Sequence, residues 1–440
     1  MMKKGLLIIL VFIISLQNTA YAGTRSINKT PIPVLMYHHL DKKSSNRTTV
    51  KPGDFKMQML FLKKSGYNTI TIHDLILAKE NKKPLPKHPI LITFDDGYLS
   101  NYRYAYPILK ELGMKATFFI VAAECGKTPG RTPHFTWDQA KQMYNSGTID
   151  IQSHSYKSHG TILTKKGLKP ALTNRIYSSG IQETVHQYQL RVTNDLKQSK
   201  NTIEQHIGNK VTAFSYPYGA YNSTTERACK KVGYKFAFLA KGGVNYLSDN
   251  PYRFKRINVS GFDTGYEIAK KAVPPSKKPQ KTLFTVNKKA IPSKELPIKI
   301  NGRFFIPVSL WARQLNYNYN WNHIDKQLTI KKGWSKAMFQ PYLLNNSIIN
   351  IKGHMFAPVD FYSQNFDCKI TLNTQTRGSV NKIDIQIKKK SHLSSLSVFS
   401  NLFWENCNQS FISYQLSNYR ILPITFSSLQ FKTGCQRGTS

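Results

Sequence analysis

Acidic residues are scarce in this 440-residue chain, which has 23 Asp and Glu against 63 Lys and Arg and a formal net charge of +40 at pH 7. In a cytosolic protein such a charge would suggest nucleic acid as a partner. In an exported protein it indicates anionic wall polymers or acidic membrane surfaces instead. The charge is spread along the chain, so solvated lysines of a basic secreted protein explain the same composition equally well.

Cysteines and long apolar runs are also few. The five cysteines are scattered and include no Cys-x-x-Cys pair, so neither a disulfide framework nor a cysteine zinc site is expected. The long apolar run over residues 6–16 follows Lys3 and Lys4 and precedes Ala20-Tyr21-Ala22. This pattern predicts a secretory signal peptide over residues 1–22, too short and wrongly flanked to span a bilayer stably. We therefore expect a secreted, extracellular chain without a transmembrane segment after cleavage.

Strand-like apolar runs alternate with helical segments over residues 31–262, and a glycine follows several of the helices. This alternation implies an α/β fold with a parallel sheet, either open or closed into a barrel. Polar clusters follow four different strands: His38, Asp95-Asp96, His154 and Pro217-Tyr218-Gly219. Because the carboxyl ends of barrel strands converge on one face, clusters in this position predict a single shared site.

Two of these clusters carry the elements of a metal-assisted hydrolase. Asp95 and Asp96 end a buried apolar strand before Gly97, and His154 and His159 follow about sixty residues later. One carboxylate and two imidazoles make a three-ligand set for a divalent metal with a position open for water, and the other aspartate is free to take a proton. Each cluster alone is weak evidence, because paired aspartates usually cap helices and histidines five apart on a helix would point about 140° apart. Their shared location favours the metal site.

Three motifs resemble those of the polysaccharide deacetylase family, the NodB-homology group or carbohydrate esterase family 4. They are Thr93-Phe94-Asp95-Asp96-Gly97, His154-Ser155-Tyr156-Lys157-Ser158-His159 and Ser215-Tyr216-Pro217-Tyr218-Gly219. The resemblance covers residues 31–265 and implies a distorted (β/α) barrel of the NodB-homology type. The five-residue histidine spacing, Ser215 in place of an arginine, and the pair Tyr37-His38 are most similar to the branch acting on poly-N-acetylglucosamine.

The resemblance assigns roles to five residues. Asp96, His154 and His159 would hold one divalent metal, Zn²⁺ or another first-row ion, and Asp95 would be the general base. The family's usual late histidine motif is absent, and His38 matches the N-terminal acid of the poly-N-acetylglucosamine branch. His38 is therefore expected to protonate the departing amine.

Four further residues are expected to contact the substrate or support the base. The backbone N–H of Tyr218 would stabilise the oxyanion, and Arg256 would replace the arginine that normally supports the base. Tyr98 and Trp137 would be sugar-stacking surfaces, although both could equally be core aromatics.

The resemblance implies a secreted metal-dependent deacetylase that hydrolyses N-acetyl groups of N-acetylglucosamine in an extracellular polysaccharide of the poly-N-acetylglucosamine type. The alternatives are a peptidoglycan N-acetylglucosamine deacetylase and, from another class, a non-catalytic carbohydrate-binding protein of the cell wall. Association with the wall of a Gram-positive bacterium is expected, with anionic wall polymers as further partners and no nucleic acid.

The last third of the chain has a different organisation. Residues 266–298 are rich in lysine and proline and are predicted to be a linker. Residues 299–390 are predicted to hold two copies of a small α+β unit, because residues 301–308 are echoed by 352–359 at an offset of 51 residues. The first copy resembles the copper-amine-oxidase-like N-terminal repeat, but it carries no metal-ligand cluster, so copper is not expected. No fold is assigned to the tail at 391–440.

Overall fold

The computed structural model describes residues 29–43, 45–274, 281–291, 296–322, 327–333, 335–339, 348–351, 354–377 and 380–389. The predicted signal peptide and the unassigned tail lie outside these residues. Within them, no helix combines the length and the apolar character needed to cross a membrane.

A nine-stranded sheet forms the centre of the N-terminal domain. Its strands are β1 (Ile32–Tyr37), β2 (Asn68–Thr69), β3 (Pro89–Phe94), β4 (Ala116–Ile120), β5 (Ile149–Ser153), β6 (Ala213–Ser215), β7 (Phe236–Phe238), β8 (Val244–Asn245) and β9 (Ile257–Asn258). The strand order is β7-β6-β5-β4-β3-β1-β8, with β9 also beside β1 and β2 beside β3. The pairs are parallel except β1 with β8.

The segment around β9 closes the curved sheet. Phe254 forms a parallel bridge with Phe238 of β7, and its carbonyl accepts the N–H of Leu239 at 2.8 Å. A few residues later the N–H of Val259 bonds to the carbonyl of Met36 on β1 at 3.1 Å. The parallel strands therefore curl into a barrel, and the expected α/β fold class is confirmed.

Helices surround this sheet. They are α1 (Pro52–Lys64), α2 (Ile72–Lys79), α3 (Tyr106–Glu111, preceded by a π-helical turn at Asn101–Ala105), α4 (Trp137–Asn145), α5 (Val185–Ile207), α6 (Ser223–Val232) and α7 (Gly265–Lys271). Short helical turns lie at Ala122–Glu124, Ala171–Thr173, Pro217–Gly219 and Pro251–Arg253. Short strand pairs lie at His39–Leu40 with Thr49–Val50, Thr161–Thr164 with Gly167–Pro170, and Tyr177–Ser178 with Ile181–Gln182.

Apolar side chains fill both sides of the barrel wall. One buried cluster contains residues of the strands and of α2, among them Val34, Phe119, Phe236 and Leu75. A second cluster contains the alternate strand residues, such as Leu35, with the surrounding helices. Burying each such side chain contributes roughly 1.5–3 kcal/mol, so the barrel interior is a packed core and not a pore.

The C-terminal domain repeats one hairpin–helix unit. Its strands are β10 (Lys281–Val286), β11 (Lys289–Ala290), β12 (Ile298–Ile300), β13 (Arg303–Pro307), β14 (Asn318–Asn322), β15 (Gln327–Lys332), β16 (Ser335–Phe339), β17 (Ile349–Ile351), β18 (His354–Pro358), β19 (Cys368–Arg377) and β20 (Val380–Lys389). Its helices are α8 (Val308–Leu315) and α9 (Val359–Asn365). The hairpins β12–β13 and β17–β18 lie side by side, joined by antiparallel pairing of β13 with β18, and a helix follows each of them.

The stretch predicted as a linker at 266–298 is structured where it is described, contrary to that prediction. Helix α7 occupies its beginning, with Ile268, Ala269 and Ala272 buried. Strand β10 then pairs in parallel with β20 of the C-terminal domain. The lysine-rich composition concealed these elements because a helix or strand that is buried on one side needs only a few apolar residues on that side.

The two domains are in direct contact. Ile300, Phe305, Ile349 and Phe356 of the C-terminal domain belong to the same buried apolar cluster as the N-terminal domain's outer helices. Asn301 Nδ2 also donates to the carbonyl of Ser65, just after α1, at 3.0 Å. The C-terminal domain is therefore packed against the barrel through apolar and polar contacts.

Candidate metal centre and active-site cavity

The two aspartates lie where β3 ends and the chain turns sharply. The Asp95 N–H is still bonded to the Tyr37 carbonyl of β1 at 3.0 Å. Asp96 and Gly97 then have φ angles of 76° and 92°, in the left-handed region that favours glycine. The strained turn at Asp96 gives the adjacent carboxylates different partners.

Asp96 faces two imidazoles. Its Oδ1 lies 3.5 Å from His154 Nε2 and 3.1 Å from His159 Nε2. This oxygen is buried and has no hydrogen-bond partner within the described residues. One ligand atom from each residue lies within 4.8 Å of the others. A buried oxygen without a donor beside two ring nitrogens fits a divalent metal ion, which would satisfy all three atoms.

His154 is fixed in the form that binds metals. Its Nδ1 lies 2.7 Å from the Ser215 carbonyl, and because a carbonyl only accepts, Nδ1 carries the proton. The lone pair of Nε2 therefore faces Asp96. Burial lowers the pKa of His154 to about 4, so the ring is neutral at pH 7. The bond to the Ser215 carbonyl thus fixes the orientation of a candidate metal ligand.

Asp195 of α5 supports the loop that carries His159. Its two carboxylate oxygens accept the backbone N–H groups of Tyr156 and Lys157 at 3.0 and 2.8 Å. The loop is further bent by Ser155, whose φ is 86°. Sequence reasoning missed Asp195, because a single aspartate in a long amphipathic helix has no distinguishing pattern.

Asp95, unlike Asp96, forms an ion pair with Arg256. The guanidinium binds both carboxylate oxygens at 2.7 Å, and its Nε donates to the Leu239 carbonyl at 2.9 Å. Ser215 Oγ accepts from Arg256 at 2.8 Å and donates to Asp95 Oδ2 at 3.2 Å. Burial alone would raise the pKa of Asp95, but the charge and hydrogen bonds of Arg256 outweigh it and hold that pKa below its usual value. The carboxylate is therefore ionised at neutral pH.

A cavity of about 430 Å³ opens above these groups. The described residues around it include most of the predicted site residues: His38, Asp95, Asp96, Tyr98, His154, His159, Tyr218 and Arg256. His38 Nδ1 is buried and makes no hydrogen bond within the described part of the chain. The neighbouring His39 is tied to Ser100 Oγ at 2.9 Å through its Nδ1. His38 is thus the histidine of the pair whose Nδ1 has no described partner.

The third motif forms one rim of the cavity. Tyr218 has a φ of 57°, and its exposed ring lies 5.1 Å from the ring of His159. A Cβ on Gly219 would lie 2.6 Å from Ala240 Cβ and 2.7 Å from Ala240 N, so only glycine fits there. Tyr218 and Gly219 thus line the same cavity as the candidate metal ligands.

The two predicted stacking aromatics have different surroundings. Tyr98 lines the cavity, and its ring packs against His39 and His134. Trp137 is not among the residues that line it; its ring is stacked on His206 of α5 at 4.2 Å. His206 covers one face of this ring, and the role of Trp137 as a sugar-stacking surface stays a prediction. Sequence reasoning also did not anticipate Thr48 and Thr49, which line the cavity beside His39.

Comparison with known proteins identifies the family. The polysaccharide deacetylase profile matches residues 82–237, and the copper amine oxidase N-terminal domain profile matches residues 285–381. The chain is 34% identical over 230 residues to the "Putative polysaccharide deacetylase YxkH" of Bacillus subtilis. The aligned region covers 52% of this chain and 71% of that protein. The chain belongs to the polysaccharide deacetylase family.

Further relatives carry a more particular name. A poly-beta-1,6-N-acetyl-D-glucosamine N-deacetylase of Staphylococcus epidermidis is 30% identical over 220 residues, covering 50% of this chain and 70% of that protein. The enzyme of that name from Escherichia coli K12 is 25% identical over 227 residues, and the chain spans 34% of its length. Among solved structures, a de-N-acetylase from Aggregatibacter actinomycetemcomitans superposes with a TM-score of 0.51 at 26% identity, covering 55% of this chain and 99% of that one.

Proposed function

We propose that the N-terminal domain removes acetyl groups from N-acetylglucosamine units of an extracellular poly-N-acetylglucosamine. The observation that carries the proposal is that the two adjacent aspartates have different partners. Arg256 holds Asp95 as an ionised carboxylate, while Asp96 faces His154 and His159. A base and a metal site side by side are what amide hydrolysis needs. The names of the Staphylococcus and Escherichia relatives support the choice of polymer.

Asp96, His154 and His159 would hold the divalent metal. When bound, such an ion supplies a Lewis acid that acidifies water and polarises the acetyl carbonyl. Asp95 accepts the proton of the attacking water, and its low pKa keeps it unprotonated beforehand. Arg256 and Ser215 hold the carboxylate in place during this transfer. The Tyr218 N–H stabilises the negative charge that develops on the acetyl oxygen.

His38 completes the reaction from the cavity wall. As the carbon–nitrogen bond breaks, the sugar nitrogen needs a proton to leave as an amine. His38 donates it, a contribution of about 10²–10⁴-fold for a positioned acid. The products are acetate and a glucosamine unit. Zn²⁺ is the proposed metal because histidine and carboxylate ligands suit it, with other first-row divalent ions as alternatives.

We also propose that the protein acts outside the cell. The basis is the predicted signal peptide and the extracellular nature of the polymer. The excess of lysine and arginine supports association with anionic polymers of a Gram-positive wall.

Acetate release tests the proposal. Protein loaded with Zn²⁺ is incubated with poly-β-1,6-N-acetylglucosamine and, separately, with purified peptidoglycan, and free acetate is measured against the Asp95→Asn variant. Release from the first polymer that the variant lacks is the expected result. Release from peptidoglycan alone would assign the substrate to the wall. Binding to the polymer without release would instead make the domain a carbohydrate-binding module.

A further inference from the structure

The loop at 260–264 is a rigid element directly behind the wall of the active-site cavity. The Gly261 N–H bonds to the Asn46 carbonyl at 2.8 Å, and Gln58 Nε2 donates to the Asp263 carbonyl at 2.7 Å. The Ser260 N–H bonds to Asp263 Oδ2 at 2.8 Å. A Cβ on Gly261 would lie only 2.2 Å from the carbonyl oxygen of Thr49, which lines the cavity. The loop and the cavity therefore share one wall.

Phe262 stands at the surface of this fixed loop. It is 72% exposed, which makes it the most exposed aromatic residue among the large hydrophobic side chains that the structure describes. A single exposed apolar side chain is ordinary on a protein surface, so the position of Phe262 beside a groove matters more than its exposure alone. The exposure is not explained by flexibility, because hydrogen bonds hold the residues on both sides of Phe262.

A groove of about 310 Å³ is lined by Phe262 and by residues of both domains. They include Asp54 and Met57 of α1, and Ile349 and Asn350 of β17 in the C-terminal domain. An aromatic ring beside a carboxylate and an amide suits a sugar, because the ring covers an apolar sugar face while the polar groups bond to hydroxyls. The groove is separated from the active-site cavity only by the wall that Thr49 and Gly261 share.

We propose that this groove is a distal subsite that binds N-acetylglucosamine or glucosamine units of the same polymer chain, with Phe262 as its stacking platform. The inference rests on the proposed function and gives the C-terminal domain a role in it. Asn350 lies at the groove because the C-terminal domain is packed against α1. A polymer that enters the cavity and continues over the shared wall meets Phe262 next, so recognition depends on chain length.

Oligomers of β-1,6-linked N-acetylglucosamine from two to six units test the proposal on the full chain. Phe262→Ala should raise KM for the pentamer and hexamer by roughly three- to tenfold, the range expected for one aromatic contact, and raise it much less for the dimer. Phe262→Tyr should restore the wild-type values because the ring is kept. Tyr319→Ala removes another exposed aromatic, in β14 and away from the groove, and serves as the matched control. A titration of the hexamer into metal-free protein should show the same loss of affinity for Phe262→Ala.

The outcomes separate this inference from the proposed function. If wild-type protein releases no acetate from any oligomer, the proposed function fails, and the titration alone decides whether the groove binds sugar. If acetate is released and Phe262→Ala changes KM equally at every length, or not at all, the distal subsite is wrong. An equal effect of Tyr319→Ala would also overturn it.

Discussion

Arg256 and Asp95 form a bidentate ion pair with both N–O distances at 2.7 Å, although 161 residues separate them in the sequence. Arg256 has no exposed surface, and Asp95 is 2% exposed. Arg256 follows Phe254, where the chain closes the barrel between β7 and β1. Barrel closure and the protonation state of the proposed base are therefore linked through one side chain.

Loss of Arg256 should damage both activity and stability. Arg256→Leu leaves the Asp95 charge buried without its partner, which typically costs about 3–5 kcal/mol of unfolding free energy. Urea unfolding measures this change and acetate release measures turnover. Lys56→Ala is the matched control because Lys56 and Glu111 form an exposed ion pair, worth at most about 1 kcal/mol. Equal effects of the two substitutions would contradict the importance of the buried pair.

Substitutions of the two aspartates should have different effects. Asp95→Asn should keep the bound metal and lose turnover, because it removes a base and no ligand. Asp96→Asn should weaken metal binding, since Asp96 is the carboxylate among the three candidate ligands. Metal content after dialysis and acetate release distinguish the two. Near-normal rates for Asp95→Asn would show that another group is the base.

His38→Ala should slow deacetylation by about 10²–10⁴-fold with metal content unchanged, since its role is to protonate the leaving amine. His39 serves as the comparison, because its Nδ1 is already engaged by Ser100. His39→Ala should change turnover much less. If His39→Ala is the more damaging substitution, the acid has been assigned to the wrong histidine.

Asp150 should make stability depend on pH. Desolvation raises its pKa to about 6 in the folded state, against about 3.9 for an unfolded chain. Between these values the folded protein binds a proton that the unfolded chain lacks, so this contribution to stability falls as pH rises from 4 to 6. Asp150→Asn should therefore raise the urea midpoint at pH 7 and change it little at pH 4.5. A gain of the same size at both pH values would contradict the raised pKa.

Shortened chains should reveal how far the barrel depends on the helix that comes after it. A chain ending at Gly265 loses α7 and its buried Ile268, so it should be much less stable than one ending at Pro274. Both lose the C-terminal domain, so their difference isolates α7. Soluble yield and urea unfolding measure it. Equal stability of the two chains would mean that α7 adds nothing to the core.

The sequence by itself determined the family, the fold class and the position of the candidate site. This was possible because the relevant signals are local. Asp95 and Asp96 directly follow an apolar strand, and the third motif directly follows another. The carboxyl ends of parallel strands must meet at one edge, whatever the rest of the chain does.

Only the tertiary structure decided which distant side chains meet. Arg256 reaches Asp95 because the barrel closes, and Asp195 supports the histidine loop because α5 passes beside it. One face of Trp137 is stacked on His206, a contact that its position in the sequence does not reveal. The lysine-rich stretch after the barrel folds because partners elsewhere in the chain cover its few apolar residues. Such contacts depend on pairings between segments far apart in the chain, which composition and spacing do not encode.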